Sequence, residues 1–258
     1  MEIAIDGQRF EYEVHGDGPP VVAMRNVAAP AHTWPTPGEI DALLEAGLSL
    51  VSYRHLGTTD TIEGIAADVG AFLDHLDLGP AALWGWSQGA MAAQELALAR
   101  PDIVRGAVMM ATRGRLSSYD RVRYAVEEDL AGDAAALWML VQNLSPNALC
   151  DDEVFDRAWS NMGGGTPSEE QLALSSRAAR AGAAYADRLD ALRAVRVPCM
   201  VIAFADDVNI PPVLNREVAD AIPGCAYVEI AGAGHSGGIT HRREVRQHVL
   251  PLFSQPRP

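Results

Sequence analysis

The apolar residues of this chain fall into two patterns that alternate along most of its length. Short apolar runs bounded by turn residues are typical of buried strands. Between two such runs, residues 61–79 carry apolar side chains at spacings of three and four, which predicts a helix with one buried face. The runs that predict strands are residues 3–5, 10–14, 21–24, 48–53, 81–86, 104–110, 199–204 and 226–230, and further helices are predicted over 90–99 and 243–253.

This alternation predicts the fold class. Strands followed by helices favour an α/β protein with a mostly parallel central sheet that is flanked by helices. The alternation stops near residue 112, and residues 113–194 are predicted to be mostly helical. We therefore expect a core made of residues 1–112 and 195–258, with a small helical cap, 113–194, inserted between two strands of the sheet. Within the cap, the run Gly163-Gly164-Gly165 is interpreted either as a hinge or as an ordinary loop.

Composition narrows the partners that this chain can have. It has 258 residues, of which 48% are hydrophobic, and a formal net charge of −14. Such an acidic surface repels phosphate backbones and anionic lipid headgroups, so we expect no nucleic-acid partner and no membrane partner. Three cysteines without metal-ligand spacing do not make a disulfide framework, which favours a cytoplasmic location. The first residues lack the pattern of a signal peptide, and a homo-oligomer is left open.

The sequence Gly85-Trp86-Ser87-Gln88-Gly89 carries the strongest chemical signal. It follows a predicted strand and precedes a predicted helix, which is the context in which Gly-x-Ser-x-Gly forms a nucleophile elbow. The sharp turn lifts the serine clear of the sheet, and the glycines allow neighbouring backbone to come close. The alternative is an ordinary turn in which Ser87 caps the helix. We predict that Ser87 is a nucleophile.

A serine hydroxyl needs a base, and the base needs an orienting acid. His235 lies in a glycine-rich loop, residues 232–238, directly after the last predicted strand. Asp206 and Asp207 follow the strand before it. The chain order Ser, Asp, His is that of the α/β hydrolases. We predict His235 as the base and Asp207 as the acid, with Asp206 as a turn or capping residue.

The whole chain resembles the α/β-hydrolase superfamily, in the branch of cofactor-free haloperoxidase-like, enol-lactonase-like and carbon–carbon-bond hydrolases. In that family an acid stands four residues before a proline, as Asp207 stands before Pro211 here. The resemblance implies a cap domain at 113–194 and chemistry without a metal or an organic cofactor. The stretches that carry it are residues 61–96, 206–211 and 232–238.

The chain departs from the family pattern after the third strand. Relatives usually have His-Gly there, and the next backbone N–H helps to form the oxyanion hole. Arg25-Asn26-Val27 takes that place in this sequence, so the resemblance implies the backbone N–H groups of Val27 and Gln88 as the two oxyanion donors. Asn26 is expected to add a side-chain donor.

Five side chains are expected to contact the substrate. For Arg25 there are two interpretations, a partner for a substrate carboxylate or phosphate and a structural ion pair with a nearby acid. The tryptophans of the cap are expected either to line an apolar pocket over Ser87 or to form the core of the cap. The expected substrate-binding residues are Arg25, Asn26, Trp86, Trp138 and Trp159.

These features predict a serine hydrolase that cleaves a small or medium, partly apolar ester, lactone or thioester through an acyl-enzyme. Two alternatives stay open. The same site would serve isomerisation, proton transfer or perhydrolysis, or the protein would bind a small ligand with little turnover.

Overall fold

The structure is a computed structural model that describes residues 1–29, 34–127, 129–130, 132–162 and 169–254. The run Gly163-Gly164-Gly165, for which the sequence predicts a hinge or a loop, lies outside the described residues. Over these ranges the strands form one eight-stranded sheet in the order β1-β2-β4-β3-β5-β6-β7-β8. Their bounds are β1 Glu2–Ile5, β2 Gln8–His15, β3 Pro20–Met24, β4 Ser49–His55, β5 Ala81–Trp86, β6 Val104–Met110, β7 Cys199–Phe204 and β8 Ala226–Ile230.

The sheet is parallel from β4 to β8 and antiparallel only where β2 pairs with β1 and β4. Asp6 and Gly7 both have positive φ and form the tight turn between β1 and β2. The central strands β3, β5 and β6 are buried almost throughout, which explains their continuous apolar sequences. The predicted fold class, a mostly parallel sheet flanked by helices, is confirmed.

Twelve helices are found among the described residues. Two apolar clusters, one on each face of the sheet, make up the core. Small side chains on α3 let that helix lie close against β5 and β6. The helices are α1 Pro37–Glu45, α2 Ile62–Leu76, α3 Gln88–Ala99, α4 Ser118–Glu127, α5 Gly132–Asn143, α6 Pro146–Leu149, α7 Asp152–Met162, α8 Glu169–Ala184, α9 Leu189–Leu192, α10 Pro212–Ala221, α11 Gly237–Thr240 and α12 Arg242–Phe253.

Helices α4 to α9 lie in sequence between β6 and β7, which is where the cap is predicted. Within the predicted cap, Arg113 makes buried polar contacts that hold α4 and α8 together. The Arg113 guanidinium lies 3.0 Å from the Asp120 carboxylate and donates to the carbonyl oxygen of Gly182 at 3.1 Å. The cap is joined to the core by Arg188, which pairs with Glu95 of α3 at 2.7 Å. The boundaries 113 and 194 themselves stay a prediction.

The parallel strands bring three loops to the same edge of the sheet. Ser87 follows β5, Asp207 follows β7 and His235 follows β8, each at the carboxyl end of its strand. Open α/β sheets bind their ligands at this edge. No helix among the described residues is long and apolar enough to cross a membrane.

Candidate active site

Ser87 lies in a sharp turn between β5 and α3. Its backbone has φ 57° and ψ −122°, a conformation that non-glycine residues rarely adopt. The flanking glycines are required by the packing of this turn. A Cβ on Gly85 would lie 2.6 Å from Ala90 Cα, and a Cβ on Gly89 would lie 2.1 Å from the carbonyl oxygen of Met24. The turn therefore stores strain and holds the serine in one position, as a nucleophile elbow does.

His235 is in contact with Ser87. Its Nε2 lies 3.0 Å from Ser87 Oγ, and its Nδ1 lies 2.7 Å from Asp207 Oδ2. The imidazole is buried, with 7% of its side chain exposed, and the carboxylate of Asp207 is completely buried. When Nδ1 carries its proton toward Asp207, Nε2 is left to accept the hydroxyl proton of Ser87. The structure thus brings together the three residues that the sequence predicts as a triad.

Asp207 is positioned by its own loop. Its Oδ1 accepts hydrogen bonds from the backbone N–H groups of Asn209 at 2.9 Å and Ile210 at 2.8 Å, which leaves Oδ2 for His235. Asp206 has a different place, because its backbone N–H donates to the carbonyl oxygen of Ala233 at 2.9 Å. The structure therefore places Asp207, and not Asp206, against the imidazole.

The oxyanion region differs from the arrangement that the sequence predicts. The N–H of Gln88, at the first position of α3, has no acceptor among the described residues and points from a helix N-terminus. The N–H of Val27, however, donates to Oε1 of the Gln88 side chain at 3.1 Å. The expectation of two free backbone donors is therefore not met in this structure, because the Gln88 amide takes one of them.

Arg25 also departs from its first interpretation. The side chain is buried, and its guanidinium donates to the carbonyl oxygens of Trp34 at 2.5 Å and Tyr53 at 2.7 Å. Burial lowers the pKa of Arg25. These bonds connect the loop after β3 with the end of β4, so the structure gives Arg25 a structural place.

The three tryptophans expected at the substrate have different surroundings. The indole N–H of Trp86 donates to the carbonyl oxygen of His235 at 3.1 Å. In the cap, the Trp138 indole donates to Glu127 at 3.0 Å, and Trp159 stacks on Phe155 with ring centroids 6.1 Å apart. Trp86 thus lies at the triad, while the contacts of Trp138 and Trp159 are within the cap.

The cap contacts each active-site loop through the main chain. Nε2 of Gln88 donates to the carbonyl oxygen of Ala178 in α8 at 2.9 Å. The N–H of Ser236, next to the imidazole, donates to the carbonyl oxygen of Asn143 in the cap at 2.9 Å. The hydroxyl of Tyr119 donates to the carbonyl oxygen of Val208 at 2.8 Å. These contacts could not be predicted from the sequence, because a carbonyl oxygen is present at every residue and carries no signal of its own.

A metal site is not visible in the part of the chain that the structure describes. No three or more His, Cys, Asp or Glu side chains are grouped there as ligands would be. The chemistry that the described residues can perform is that of an activated serine: nucleophilic attack, with proton transfer through an imidazole.

Several known proteins are similar to this chain over most of its length. The non-heme bromoperoxidase BpoC, as it is named, of Mycobacterium tuberculosis is 35% identical over 257 residues, which cover 94% of this chain and 97% of that protein. A protein named as the carbamate hydrolase RutD of Klebsiella pneumoniae is 30% identical over 222 residues, covering 77% of this chain and 79% of that one.

Solved structures agree with these sequence matches. The crystal structure of BpoC from M. tuberculosis superposes with a TM-score of 0.85 at 32% identity, covering 98% of each chain. An enol-lactonase from Burkholderia xenovorans has the same fold, with a TM-score of 0.81 at 22% identity over 99% of this chain and all of the other. Residues 14–248 match the profile described as the alpha/beta hydrolase family. The chain belongs to the α/β-hydrolase family.

Proposed function

We propose that this protein is a serine hydrolase that cleaves a small or medium, partly apolar ester, lactone or thioester. One observation carries the proposal. Ser87, His235 and Asp207 form a continuous relay, with 3.0 Å between hydroxyl and imidazole and 2.7 Å between imidazole and carboxylate. The family membership and the hydrolase names of relatives agree with an enzyme of this class.

In the first half of the reaction, Ser87 Oγ attacks the carbonyl carbon of the substrate while Nε2 of His235 takes the hydroxyl proton. Asp207 keeps Nδ1 protonated and stabilises the imidazolium that forms. The N–H of Gln88 donates to the developing oxyanion, in a position where the dipole of α3 adds to its effect. The imidazolium then gives its proton to the leaving alcohol or thiol, and the acyl group stays on Ser87.

The second half reverses these roles. His235 removes a proton from water, the resulting hydroxide attacks the acyl-enzyme, and the acid is released with Ser87 restored. No step uses a metal or an organic cofactor. For the substrate class, the protein named enol-lactonase and the protein named carbamate hydrolase are relevant, because both names describe attack on an acyl carbon.

A second acceptor for the acyl group, hydrogen peroxide, is suggested by the name of the 35% identical relative, a non-heme bromoperoxidase. In place of water, hydrogen peroxide would attack the acyl-enzyme and release a peracid, and the same three residues would perform the proton transfers. Perhydrolysis is therefore the second candidate function.

The proposal is tested by labelling the protein with a fluorophosphonate and measuring its intact mass, beside Ser87→Ala and His235→Ala. We expect one adduct on wild type, located at Ser87, and none on either variant. A panel of p-nitrophenyl esters, lactones and thioesters then identifies the substrate class, and added hydrogen peroxide measures how much acyl-enzyme goes to peracid. A folded wild-type protein that takes no label would overturn the proposal and favour a ligand-binding protein.

A further inference from the structure

One backbone donor of the oxyanion region is already in use. The amide oxygen of Gln88 accepts the Val27 N–H at 3.1 Å, while the amide nitrogen of Gln88 donates to the Ala178 carbonyl oxygen at 2.9 Å. The Gln88 side chain is buried, and both of its amide atoms have good partners. Freeing the Val27 N–H would break the bond to Gln88, so this donor is costly to recruit. Of the two predicted backbone donors, Val27 N–H and Gln88 N–H, only the Gln88 N–H then remains for an oxyanion.

The residue before Val27 carries unused donors. Asn26 accepts a hydrogen bond at its Oδ1 from the backbone N–H of Ala28, at 2.8 Å. This bond fixes which end of the amide is oxygen, because only oxygen can accept from an N–H. The two N–H bonds on Nδ2 therefore remain, and among the described residues the structure shows no acceptor for them.

Asn26 is held beside the nucleophile elbow from both sides. Its following residue, Val27, bonds to Gln88. The preceding residue, Arg25, packs closely on Gly89. A Cβ on Gly89 would lie 2.4 Å from Arg25 N. The side chain of Asn26 is half-buried, whereas its neighbours Arg25 and Val27 are buried, so Asn26 remains partly accessible to a ligand.

We propose that the side-chain amide of Asn26 is the second oxyanion donor of this enzyme, acting together with the backbone N–H of Gln88. The inference rests on the proposed function, since it assigns a role in stabilising the tetrahedral intermediate on Ser87. It replaces the backbone donor that a His-Gly loop would supply, and it gives a chemical reason for an asparagine at this position. The Gln88 side chain then holds the loop instead of leaving the Val27 N–H for the substrate.

Two substitutions of Asn26 distinguish the effect of its amide donors from the effect of its size. Asn26→Asp keeps an oxygen for the Ala28 N–H and removes the Nδ2 donors. Asn26→Leu keeps the size of the side chain without any donor or charge. Loss of one oxyanion donor lowers kcat by about a hundredfold to a thousandfold. We expect both variants to show this loss with KM changed less than about threefold, because the donor acts mainly in the transition state.

The Ki of a transition-state analogue distinguishes an oxyanion donor from a residue with only a structural role. A trifluoromethyl ketone that adds to Ser87 forms an oxyanion, so its Ki should rise in parallel with the loss of kcat in both variants. Asn161→Asp, on the exposed surface of α7, makes the same chemical change elsewhere in the chain and should leave kcat and Ki unchanged. Thermal unfolding of each variant verifies that the fold is kept.

Gln88→Ala provides the opposing test, because it frees the Val27 N–H. If Val27 is the true donor, this variant keeps or raises kcat and the two Asn26 variants behave as wild type, which would overturn the proposal. If Asn26 is the donor, the Asn26 variants lose kcat whether or not Gln88 is replaced. Failure of the proposed function looks different: wild type then takes no fluorophosphonate label, whereas a wrong assignment of Asn26 leaves labelling and turnover intact in every variant.

Discussion

The indole N–H of Trp86 donates a hydrogen bond to the main-chain carbonyl oxygen of His235, with 3.1 Å between the two atoms. The two rings also lie near each other, with centroids 6.3 Å apart. Trp86 is the last residue of β5 and directly precedes the nucleophile. A single side chain therefore ties the strand that carries Ser87 to the loop that carries the imidazole, and it helps to set the distance between hydroxyl and base.

Replacing Trp86 by phenylalanine keeps a ring but removes this bond. We expect kcat to fall about tenfold to a hundredfold, with a smaller change in KM, because a displacement of the base of about 1 Å has effects of this size. Steady-state kinetics on the substrate found by the ester panel measures it. Tyr227→Phe is the matched control, since it removes one polar donor from an aromatic residue that bonds to the exposed Glu229. Equal kcat for wild type and Trp86→Phe would show that the imidazole is held by other contacts.

The elbow could be predicted from sequence because steric demands select particular residue types. Gly85 and Gly89 have backbone or Cα atoms within 2.6 Å of the place where a Cβ would stand, so other residues do not fit. The choice of Asp207 over Asp206 was also accessible, because the family pattern counts four residues to Pro211 and the loop after β7 is short.

Contacts to main-chain carbonyl oxygens could not be predicted in the same way. Arg25 donates to the carbonyl oxygens of Trp34 and Tyr53, and Gln88 donates to that of Ala178, but nothing in the identity of those acceptors indicates a partner. The charge of Arg25 is compatible with an anionic substrate and with a structural ion pair, and only the packing of two loops reveals the carbonyl oxygens to which it donates. Long-range contacts of this kind depend on the tertiary fold and are invisible in a local sequence pattern.

Gly234 marks the place where the cap meets the base. A Cβ on Gly234 would lie 2.6 Å from the backbone carbon of Leu144 and the backbone nitrogen of Ser145. Gly234→Ala should therefore push the cap away from the imidazole loop, destabilise the protein by about 1–3 kcal/mol and slow the labelling of Ser87 at least tenfold. Urea unfolding and the rate of fluorophosphonate labelling measure the two effects.

The control for this substitution is Gly38→Ala in α1. Gly38 has open space around it, with a single atom as near as 4.0 Å, and no positive φ. That variant should be neutral or slightly more stable, because alanine lowers the entropy of the unfolded chain. A labelling rate for Gly234→Ala that equals the wild-type rate would mean that the cap yields without moving the base.

Asp120 belongs to the buried polar cluster that holds α4 and α8 together through Arg113. It is fully buried, pairs with Arg113 at 3.0 Å and accepts hydrogen bonds from the backbone N–H and the hydroxyl of Ser117 at 2.8 and 2.7 Å. Asp120→Ala leaves the buried guanidinium of Arg113 without its carboxylate, so we expect a loss of about 3 kcal/mol in the free energy of unfolding. Guanidinium chloride denaturation measures it, and Asp190→Ala, at a fully exposed carboxylate, should change stability by less than about 0.5 kcal/mol. A loss below about 1 kcal/mol for Asp120→Ala would show that other contacts hold α4 in place.

His55 is buried between a carboxylate and a guanidinium. Its Nε2 lies 3.1 Å from Asp68 Oδ2, and its Nδ1 lies 3.5 Å from Nη2 of Arg177. The guanidinium faces Nδ1 with its own N–H groups, so this nitrogen acts as an acceptor and the imidazole stays neutral. Burial, with the positive charge of Arg177 as the second cause, lowers the pKa of His55 to about 3.

This lowered pKa predicts a specific loss of stability in acid. The unfolded chain binds a proton at His55 with a pKa of about 6.5, whereas the folded protein binds it only near pH 3. Protonation therefore favours unfolding. The contribution of His55 to the free energy of unfolding is fully present above about pH 7, and it falls as the pH drops toward pH 3, by up to about 1.4 kcal/mol per pH unit.

His55→Gln, which leaves Asp68 and Arg177 in place, should show a shallower decline in the free energy of urea unfolding between about pH 6 and pH 4. His75→Gln, on the exposed side of α2, should follow the wild-type curve. Parallel curves for wild type and His55→Gln would mean that the folded protein accepts the proton at His55, with Asp68 stabilising the imidazolium.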